Sequence, residues 1–329
     1  MVPIRRILVP LDGSVTAESI LPHTSRVAMS LGASVRLLHT LEHGRAGGLT
    51  RDSVEWRLHM AEARSYLQHV AERFQKAGLE VDTVVVEGRP ARQTIFEARR
   101  WEADLIALSS HGHGGADGFN LGGIAQKILA HAGISILLAR AGPPSDEDTP
   151  ESGSYGLVVL PVDLSLRSDW ALSVGTRIAR SGGSAIELIH VVSVPEVPER
   201  RPGDFVARAC RRRLIDMHRE MAQHHLTAIA EQLTSPGLTV RSRLLESASV
   251  SRALVEATDS VGDGLHVVSA HGVSGPSPWP YGSVTNHLIA HGTLPILVLQ
   301  DVPRAMPIRS VSESASTRFS VVPTAPWNN

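Results

Sequence analysis

The sequence predicts an α/β protein built from two repeated open five-stranded parallel-sheet domains, with helices on both faces of each sheet. The chain has 329 residues, which suits two domains of roughly 150 residues each. Short β-branched runs alternate along it with longer segments of helical periodicity, the pattern of a parallel sheet covered by helices. An internal repeat supports the same reading, because its two copies match motif by motif.

The repeat opens with an apolar run that ends at a Pro-x-Asp-x-Ser motif. The run before Asp12 recurs before Asp163, and the run ending at His39 recurs at His190, both at an offset of 151 residues. Later motifs match at offsets of 159 and then 160 residues. The second copy has therefore gained residues after its second strand, in the proline- and arginine-rich stretch 194–213, which we interpret as an enlarged surface loop entering a helix.

The individual elements follow from periodicity. In copy one, β-branched runs predict strands near residues 7–10, 34–39, 81–86, 105–109 and 135–138. Apolar residues at helical spacing predict helices at residues 17–31, 54–76, 91–99 and 122–131.

Composition sets the expected domain boundaries. Residues 141–153 are rich in Pro, Gly, Ser and acidic residues, which is typical of an exposed linker. Residues 302–329 are rich in Ser and Pro without a sustained period, which is typical of a disordered tail. We therefore predict a first domain over residues 1–140 and a second over 154–301.

Bulk composition disfavours several classes of partner. With 42% hydrophobic residues, 20% charged residues and a formal net charge of -1, the chain gives no electrostatic reason to expect nucleic acid or an anionic membrane. Cys210 is the one cysteine, so no intramolecular disulfide can form, which suits a reducing compartment. The first apolar run ends at Asp12, too early for a signal segment or a membrane span. We expect a cytoplasmic protein.

Two aspartates mark a candidate site at one edge of each predicted sheet. Asp12 and Asp163 each follow the first strand of their copy. Ligands of open parallel sheets bind outside the carboxyl ends of the strands, where the strand order reverses. A carboxylate there can accept hydrogen bonds from a ribose or from an adenine amino group.

A glycine loop follows the fourth strand of each copy with identical spacing. Copy one reads Ser109-Ser-His-Gly112, nine residues, then Gly122-Gly123; copy two reads Ser269-Ala-His-Gly272, nine residues, then Gly282-Ser283. Glycines let the backbone approach an anion closely, and a helix start offers unpaired N–H groups and a positive dipole end. The two loops therefore predict phosphate sites.

With these motifs the sequence resembles the universal stress protein family twice over, across roughly residues 3–140 and 154–301. The resemblance rests on the Val-Pro-x-Asp opening, the Leu-His of strand two and the signature Gly-x2-Gly-x9-Gly-[Ser/Thr]. It implies an adenine-nucleotide α-hydrolase-like, doubly wound fold and an adenine nucleotide such as ATP as ligand, with or without Mg²⁺. In nucleotide-binding members, the Pro-x-Asp segment and the end of strand two contact adenosine, and the glycine loop contacts the phosphates.

Carried onto this chain, the family's contacts fall on one set of residues in each copy. In copy one they are Pro10, Asp12, Leu41, Ser109, His111, Gly112, Gly122, Gly123 and Ile124. In copy two they are Pro161, Asp163, Val192, Ser269, His271, Gly272, Gly282, Ser283 and Val284. The resemblance also implies antiparallel pairing of the two last strands, so we predict an intramolecular pseudo-dimer. A further homodimer stays open.

Both copies depart from the family signature. Ser109 and Ser269 replace its first glycine, and Gly123 lacks the final hydroxyl. Three prolines of the copy-two loop, at positions 276, 278 and 280, have no N–H to offer a phosphate. The sequence therefore leaves open which copy binds nucleotide.

We expect a stress-response sensor or regulator that binds ATP or a related adenine nucleotide, without evident catalysis, and signals through a protein partner. One alternative is a protein-interaction module with degenerate loops, whose arginine-rich segment 208–213 recruits another protein. A second is a slow ATP hydrolase in which His111 or His271 orients water. Structural roles in capping or packing helices are expected for Ser14, Trp56, Trp101 and Trp170.

Overall fold

A computed structural model describes residues 3–42, 54–112, 121–141, 153–163, 165, 168–194, 205–272 and 280–300. Three predicted features lie largely outside the described residues. They are the linker at 142–152, the glycine-loop segments 113–120 and 273–279, and the tail from residue 301.

Copy one alternates strands and helices in the predicted order. Its strands are β1 (Arg6–Leu11), β2 (Ser34–Leu41), β3 (Val81–Glu87), β4 (Leu105–Ser109) and β5 (Ser135–Ala139). Its helices are α1 (Val15–Glu18), α2 (Leu21–Leu31), α3 (Val54–Lys76), α4 (Pro90–Arg100) and α5 (Gly123–His131).

Copy two repeats the pattern. Its strands are β6 (Leu157–Pro161), β7 (Ala185–Ser193), β8 (Val240–Ser247), β9 (Gly264–Ser269) and β10 (Ile296–Leu299). Its helices are α6 (Ser168–Gly182), α7 (Phe205–Leu233), α8 (Val250–Thr258) and α9 (Ser283–His291). The arginine-rich segment 208–213 therefore lies on α7.

The two copies share one ten-stranded sheet, in the order β3-β2-β1-β4-β5-β10-β9-β6-β7-β8. The strands of each copy run parallel, whereas β5 and β10 pair antiparallel, with Leu138 opposite Ile296 and Ile136 opposite Val298. This pairing confirms the predicted pseudo-dimer. Each apolar last strand covers the other, so neither is left as an exposed edge.

One predicted helix is wrong in its extent. The periodicity of residues 17–31 predicted a single helix, but the chain forms α1 and α2 with a break at Ser19 and Ile20. Pro22 lies in the first turn of α2. Because proline has no N–H and its ring clashes with the carbonyl four residues earlier, here that of Glu18, a continuous helix cannot pass this point.

The core consists of two apolar layers, one on each face of the sheet. Ile7 and Val9 of β1 face the layer under α2, α3, α6 and α7, and Leu8 between them faces the layer under α4, α5, α8 and α9. Central strands of a parallel sheet are covered on both faces in this way. The tryptophans take the expected packing roles, Trp56 buried and Trp101 and Trp170 packed against the two layers.

Polar contacts between the copies supplement the β5–β10 pairing. The Arg140 guanidinium, just after β5, donates to the carbonyl oxygens of Ile289 (2.6 Å) and Gly292 (3.1 Å) at the end of α9. Arg177 on α6 donates to the carbonyl of Leu31 at the end of α2, at 2.7 Å. Each arginine thus satisfies carbonyls that a helix end leaves unpaired.

None of the described helices is both long enough and apolar enough to cross a membrane.

Candidate functional site

The strand order reverses between β1 and β4 in copy one and between β6 and β9 in copy two. Each pair is parallel, so the carboxyl ends of the two strands lie side by side. Asp12 follows β1 and the segment 110–112 follows β4. The topology therefore brings the predicted aspartate and the predicted glycine loop to one switch point, the usual ligand position of this kind of sheet.

Asp12 and Gly112 are in close contact across this switch point. A Cβ atom built on Gly112 overlaps Oδ2 of Asp12, and one built on Gly272 overlaps Oδ2 of Asp163. Only a residue without a side chain lets the carboxylate lie against the loop backbone in this way. Both copies therefore require glycine at this position.

A serine holds each aspartate in place. Oδ1 of Asp12 accepts hydrogen bonds from the Ser14 N–H (3.0 Å) and hydroxyl (2.6 Å). Oδ1 of Asp163 accepts the same two bonds from Ser165, at 3.1 and 2.5 Å. The serine contacts engage Oδ1, while Oδ2 lies toward the glycine.

Ser14 has a second role, which the sequence did predict. Its hydroxyl accepts the N–H of Ala17 at 3.0 Å and so caps α1. Its bond to Asp12 was missed. The signal was present, because a serine two residues after an aspartate is the arrangement in which the carboxylate accepts its N–H, and the motif occurs in both copies.

The helices after the two loops start without side-chain caps. Gly122 precedes α5 and Gly282 precedes α9, and neither helix start has a side-chain cap bond among the described residues. The N–H groups of an α-helix's first turn have no acceptor within the helix. At residues 123–125 and 283–285 these groups form the kind of helix N-terminus that favours phosphate.

The N–H groups of the two glycines before these helices are engaged within the protein. The Gly122 N–H donates to the Ser110 carbonyl and the Gly282 N–H donates to the Ala270 carbonyl, both at 2.8 Å. Both N–H groups therefore hold the loop closed.

The serines that replace the first signature glycine turn their hydroxyls toward neighbouring protein groups. The Ser109 hydroxyl accepts from the Ser19 hydroxyl at 3.1 Å, and the Ser269 hydroxyl donates to the His271 carbonyl at 2.8 Å. Ser109 is buried and Ser269 half-buried. Each serine therefore stabilises the turn after its strand.

The two loop histidines have different environments despite the identical motif. His111 is half-exposed, and its ring lies 3.1 Å from the Ser110 hydroxyl. His271 is buried, with 3% exposure. Local sequence could not reveal this difference, because it arises from how each loop packs.

The remaining predicted residues lie at strand ends or in the first turns of α5 and α9. Pro10 and Pro161 are half-buried at the ends of β1 and β6, as is Leu41, which ends β2. Its counterpart Val192 is buried, with 2% exposure. Ile124 on α5 is exposed. Val284 on α9 is half-buried.

In copy two a histidine lies beside the aspartate. Nδ1 of His190 is 2.7 Å from the Val162 carbonyl. Burial lowers the pKa of His190, although the Val162 carbonyl and Asp163 act in the opposite direction. The lowered pKa favours a neutral ring near Asp163 at neutral pH.

In copy one a tyrosine and an ion pair occupy the corresponding region. Tyr66 on α3 donates to Glu18 Oε1 at 3.0 Å, and Arg73 donates to Glu18 Oε2 at 3.1 Å. Burial, followed by the charge of Glu18, raises the pKa of Tyr66, and Asp12 adds to the effect. The hydroxyl thus stays protonated. Sequence reasoning missed this group, because its members come from two separate helices.

The described residues form no group of three or more His, Cys, Asp or Glu side chains placed to hold a metal ion.

The comparisons with known proteins agree with this fold. The universal stress protein family model matches residues 3–140 and 154–300, so the chain belongs to this family. A universal stress protein of Methanocaldococcus jannaschii is 24% identical over 140 residues, which cover 41% of this chain and 82% of that protein. One of Synechocystis is 30% identical over 79 residues, covering 24% of this chain and 51% of that protein.

Two solved structures match most of the chain. A universal stress protein from Archaeoglobus fulgidus superposes with a TM-score of 0.62 at 17% identity, covering 91% of this chain and 99% of that one. A putative universal stress protein from Pseudomonas aeruginosa gives 0.59 at 14% identity, covering 90% and 93%. These matches support the fold of the two-copy chain as a whole.

Proposed function

We propose that this protein binds ATP or a related adenine nucleotide and acts as a sensor or regulator in a stress response, without turning the nucleotide over. The observation that carries the proposal is the contact between Asp12 and Gly112 at the switch point, repeated between Asp163 and Gly272. It brings a carboxylate acceptor and the backbone of a glycine loop to one place in each copy, as a nucleoside and its phosphates would require.

The phosphates would contact the first turns of α5 and α9. In copy one the donors would be the N–H groups of Gly123 and Ile124, and in copy two those of Ser283 and Val284, where the Ser283 hydroxyl adds a further donor. Because the N-terminal dipole of a helix favours negative charge, these positions suit a phosphate chain.

The nucleoside would lie at the ends of the first two strands. In copy one its neighbours would be Pro10, Asp12 and Leu41, and in copy two Pro161, Asp163 and Val192. Oδ2 of each aspartate points toward the glycine loop and could accept a bond from a ribose hydroxyl or an adenine amino group. Fixed acceptors of this kind give a site its specificity.

Nucleotide binding without hydrolysis requires no catalytic groups. A hydrolase would need a base to orient water and cationic stabilisation of the phosphates. His271 is buried and the His111 ring contacts Ser110, which makes neither an evident base. We place this activity in the cytoplasm, where ATP is available and the exposed thiol of Cys210 would stay reduced.

Calorimetric titration with ATP tests the proposal and assigns it to a copy. Gly122→Val and Gly282→Val each place a branched side chain against the loop, because a Cβ at Gly122 meets the Ser110 carbonyl at 3.3 Å and one at Gly282 meets the Ala270 carbonyl at 3.6 Å. We expect one or both variants to lose binding by at least about tenfold, roughly 1.4 kcal/mol.

A matched control separates this effect from a general effect of adding valine. A Cβ added at Gly262 would meet no atom within 4 Å, and the backbone conformation there is open to other residues, so Gly262→Val should bind ATP like the wild type. If neither loop variant changes binding while ATP still binds, the nucleotide lies elsewhere. In that case the proposed site is wrong.

A further inference from the structure

Helix α7 carries an exposed apolar stripe away from the candidate nucleotide sites. Leu214, Met217 and Met221 expose 56%, 50% and 58% of their surface. Their spacing of three and four residues places them on one face of the helix. A different face of the helix, through Ala222 and Leu226, is buried. The stripe is therefore not part of the core.

The equivalent helix of copy one shows that this stripe is not required by the fold. Three buried positions of α3 match three of α7 at the repeat offset of 159 residues, namely Ala63 with Ala222, Leu67 with Leu226 and Val70 with Ile229. At the same offset, the stripe positions correspond to Glu55, Leu58 and Glu62, all exposed.

Copy one therefore has two carboxylates where copy two has Leu214 and Met221. The same fold tolerates charge at these positions in one copy and has apolar residues in the other. Contiguous exposed apolar side chains on a soluble protein commonly mark a contact surface.

The arginines and glutamates beside the stripe lie in different parts of α7. Arginines at 208, 211, 212 and 213 crowd its first part, whereas Glu220 and Glu231 lie further along. Arg213 and Glu220 are exposed. On another side of the helix, Arg219 forms exposed ion pairs with Asp216 (2.7 Å) and with Glu246 of β8 (2.6 Å).

We propose that this stripe is a self-association surface, whose occupant is the α7 stripe of a second copy of this chain in antiparallel orientation. Charge complementarity selects the orientation. Parallel helices would oppose the two arginine clusters, whereas antiparallel helices centred near residues 215–217 place Arg213 level with Glu220 of the second copy. The contact is isologous, so the pair forms twice about a two-fold axis.

The contact is small and the dimer should be weak. From Leu214 to Met221 the stripe spans eight residues, about 12 Å at 1.5 Å per residue. Stable interfaces bury about 800 Å² per partner, more than one short stripe supplies. We expect a dissociation constant of roughly 10 to 500 µM, so that association becomes evident where the protein is concentrated.

Sedimentation velocity over a concentration series of the full chain, up to about 1 mM, tests this. The wild type should shift reversibly from chain mass to twice chain mass. Met217→Glu should weaken association at least tenfold, because it places like charges near the two-fold axis. Leu58→Glu is the matched control, since Leu58 occupies the same position of α3 with 54% exposure, and it should leave association unchanged.

Charge reversal tests the orientation. Arg213→Glu and Glu220→Arg should each weaken association, and the double variant should restore it, because the two residues pair only between antiparallel copies. Far-UV circular dichroism of each single variant checks that it is folded. An additive loss in the double variant would overturn the antiparallel arrangement.

Cysteine cross-linking under mild oxidation gives a second test of orientation. With Arg213 level with Glu220, antiparallel packing separates the two native Cys210 thiols by about 20 Å along the axis, too far for a disulfide. The wild type should therefore stay uncross-linked, while Met221→Cys should cross-link to Cys210 of the second copy. A Cys210–Cys210 dimer in the wild type would overturn the arrangement.

Two results would overturn the proposal as a whole. One is a wild-type chain that stays at chain mass up to about 1 mM. The other is a dimer whose strength Met217→Glu and Leu58→Glu change equally, since the contact would then involve another surface. A monomer in which the stripe is protected from solvent would show that the chain's own segments cover it.

Discussion

Oδ2 of Asp12 occupies the space that a Cβ atom at residue 112 would need, and Asp163 stands in the same relation to residue 272. This contact joins the segments that follow the first and the fourth strand of each copy. It links the aspartate, which follows β1 or β6, to the loop that precedes α5 or α9. Glycine at residues 112 and 272 is thus required by the position of the aspartate as well as by the loop.

Gly112→Ala should therefore lower both stability and nucleotide affinity. The added methyl group displaces Asp12 or the loop, and overpacking of this kind costs about 1–3 kcal/mol. Chemical denaturation and ATP titration measure the two effects. Gly272→Ala is the same change in copy two, and Gly262→Ala, where no atom lies within 4 Å, is the control that should change neither. Full tolerance of alanine at both 112 and 272 would contradict the geometry.

A hydroxyl at the start of α5 should strengthen nucleotide binding in copy one. Gly123 has no atom within 4 Å of its Cβ position, so Gly123→Ser fits without strain. The new hydroxyl would reproduce that of Ser283 and add one phosphate donor, worth about 0.5–1.5 kcal/mol. Ser283→Gly is the converse change in copy two and should weaken binding there. If calorimetry finds that neither change alters the affinity for ATP, the first turns of α5 and α9 do not contact the phosphates.

The contact between the copies should depend on Arg140. It donates to Ile289 and Gly292 at the end of α9, in partly buried surroundings. Arg140→Ala would leave these carbonyls without their charged partner and should lower the free energy of unfolding by about 1–3 kcal/mol. Arg252→Ala, which removes an exposed pair with Glu256 at 3.6 Å, should change it by less than about 0.5 kcal/mol. If denaturant titrations show the same loss of unfolding free energy for both variants, the hydrogen bonds from Arg140 to the end of α9 do not stabilise the contact between the copies.

Stability should decrease as the pH falls, partly through His266. This ring is buried in β9, its Nε2 lies 3.1 Å from the Thr258 hydroxyl, and its Nδ1 has no partner among the described residues. Burial lowers the pKa of His266 to about 4. The unfolded chain takes up this proton near the ordinary pKa of about 6.5 and the folded chain only near 4, so stability is lost between these two values as the pH falls.

His266→Ile should remove that part of the pH dependence. Copy one already has Ile106 at the equivalent position of β4. Thr258 keeps its bond to the Leu254 carbonyl at 3.0 Å, so the change leaves it a partner. Between pH 7 and pH 4 the variant should lose roughly 3 kcal/mol less than the wild type. His23, whose pKa burial also lowers to about 4, should account for part of the slope that remains. An unchanged slope would refute this assignment.

The sequence predicted the positions of the strands along the chain and the pairing of the two last strands, because these depend on features repeated locally. β-branched runs and helical periodicity mark the elements, and two apolar last strands must be covered. The break after Glu18 was also within reach, because Pro22 is visible in the sequence, but apolar periodicity alone masked it.

The site was predicted less completely, because its contacts join distant parts of the chain. Asp12 and Gly112 each belong to a recognisable motif, but their contact follows only from the adjacency of β1 and β4. The Tyr66–Glu18 hydrogen bond joins two helices and has no local pattern. The burial of His271 depends on packing that the same motif in copy one does not share. Long-range packing decides these features.

Direct titration of the freshly purified wild-type chain with ATP tests the central claim most simply. Any nucleotide released on denaturation is identified first by chromatography, and the stripped chain is then titrated by calorimetry up to millimolar ATP. The account predicts saturable binding at one or two sites per chain, with an adenine nucleotide as the compound released if one co-purifies. No released nucleotide and no heat of binding at millimolar ATP would contradict it, and would leave both glycine loops as structural features of a protein-interaction module.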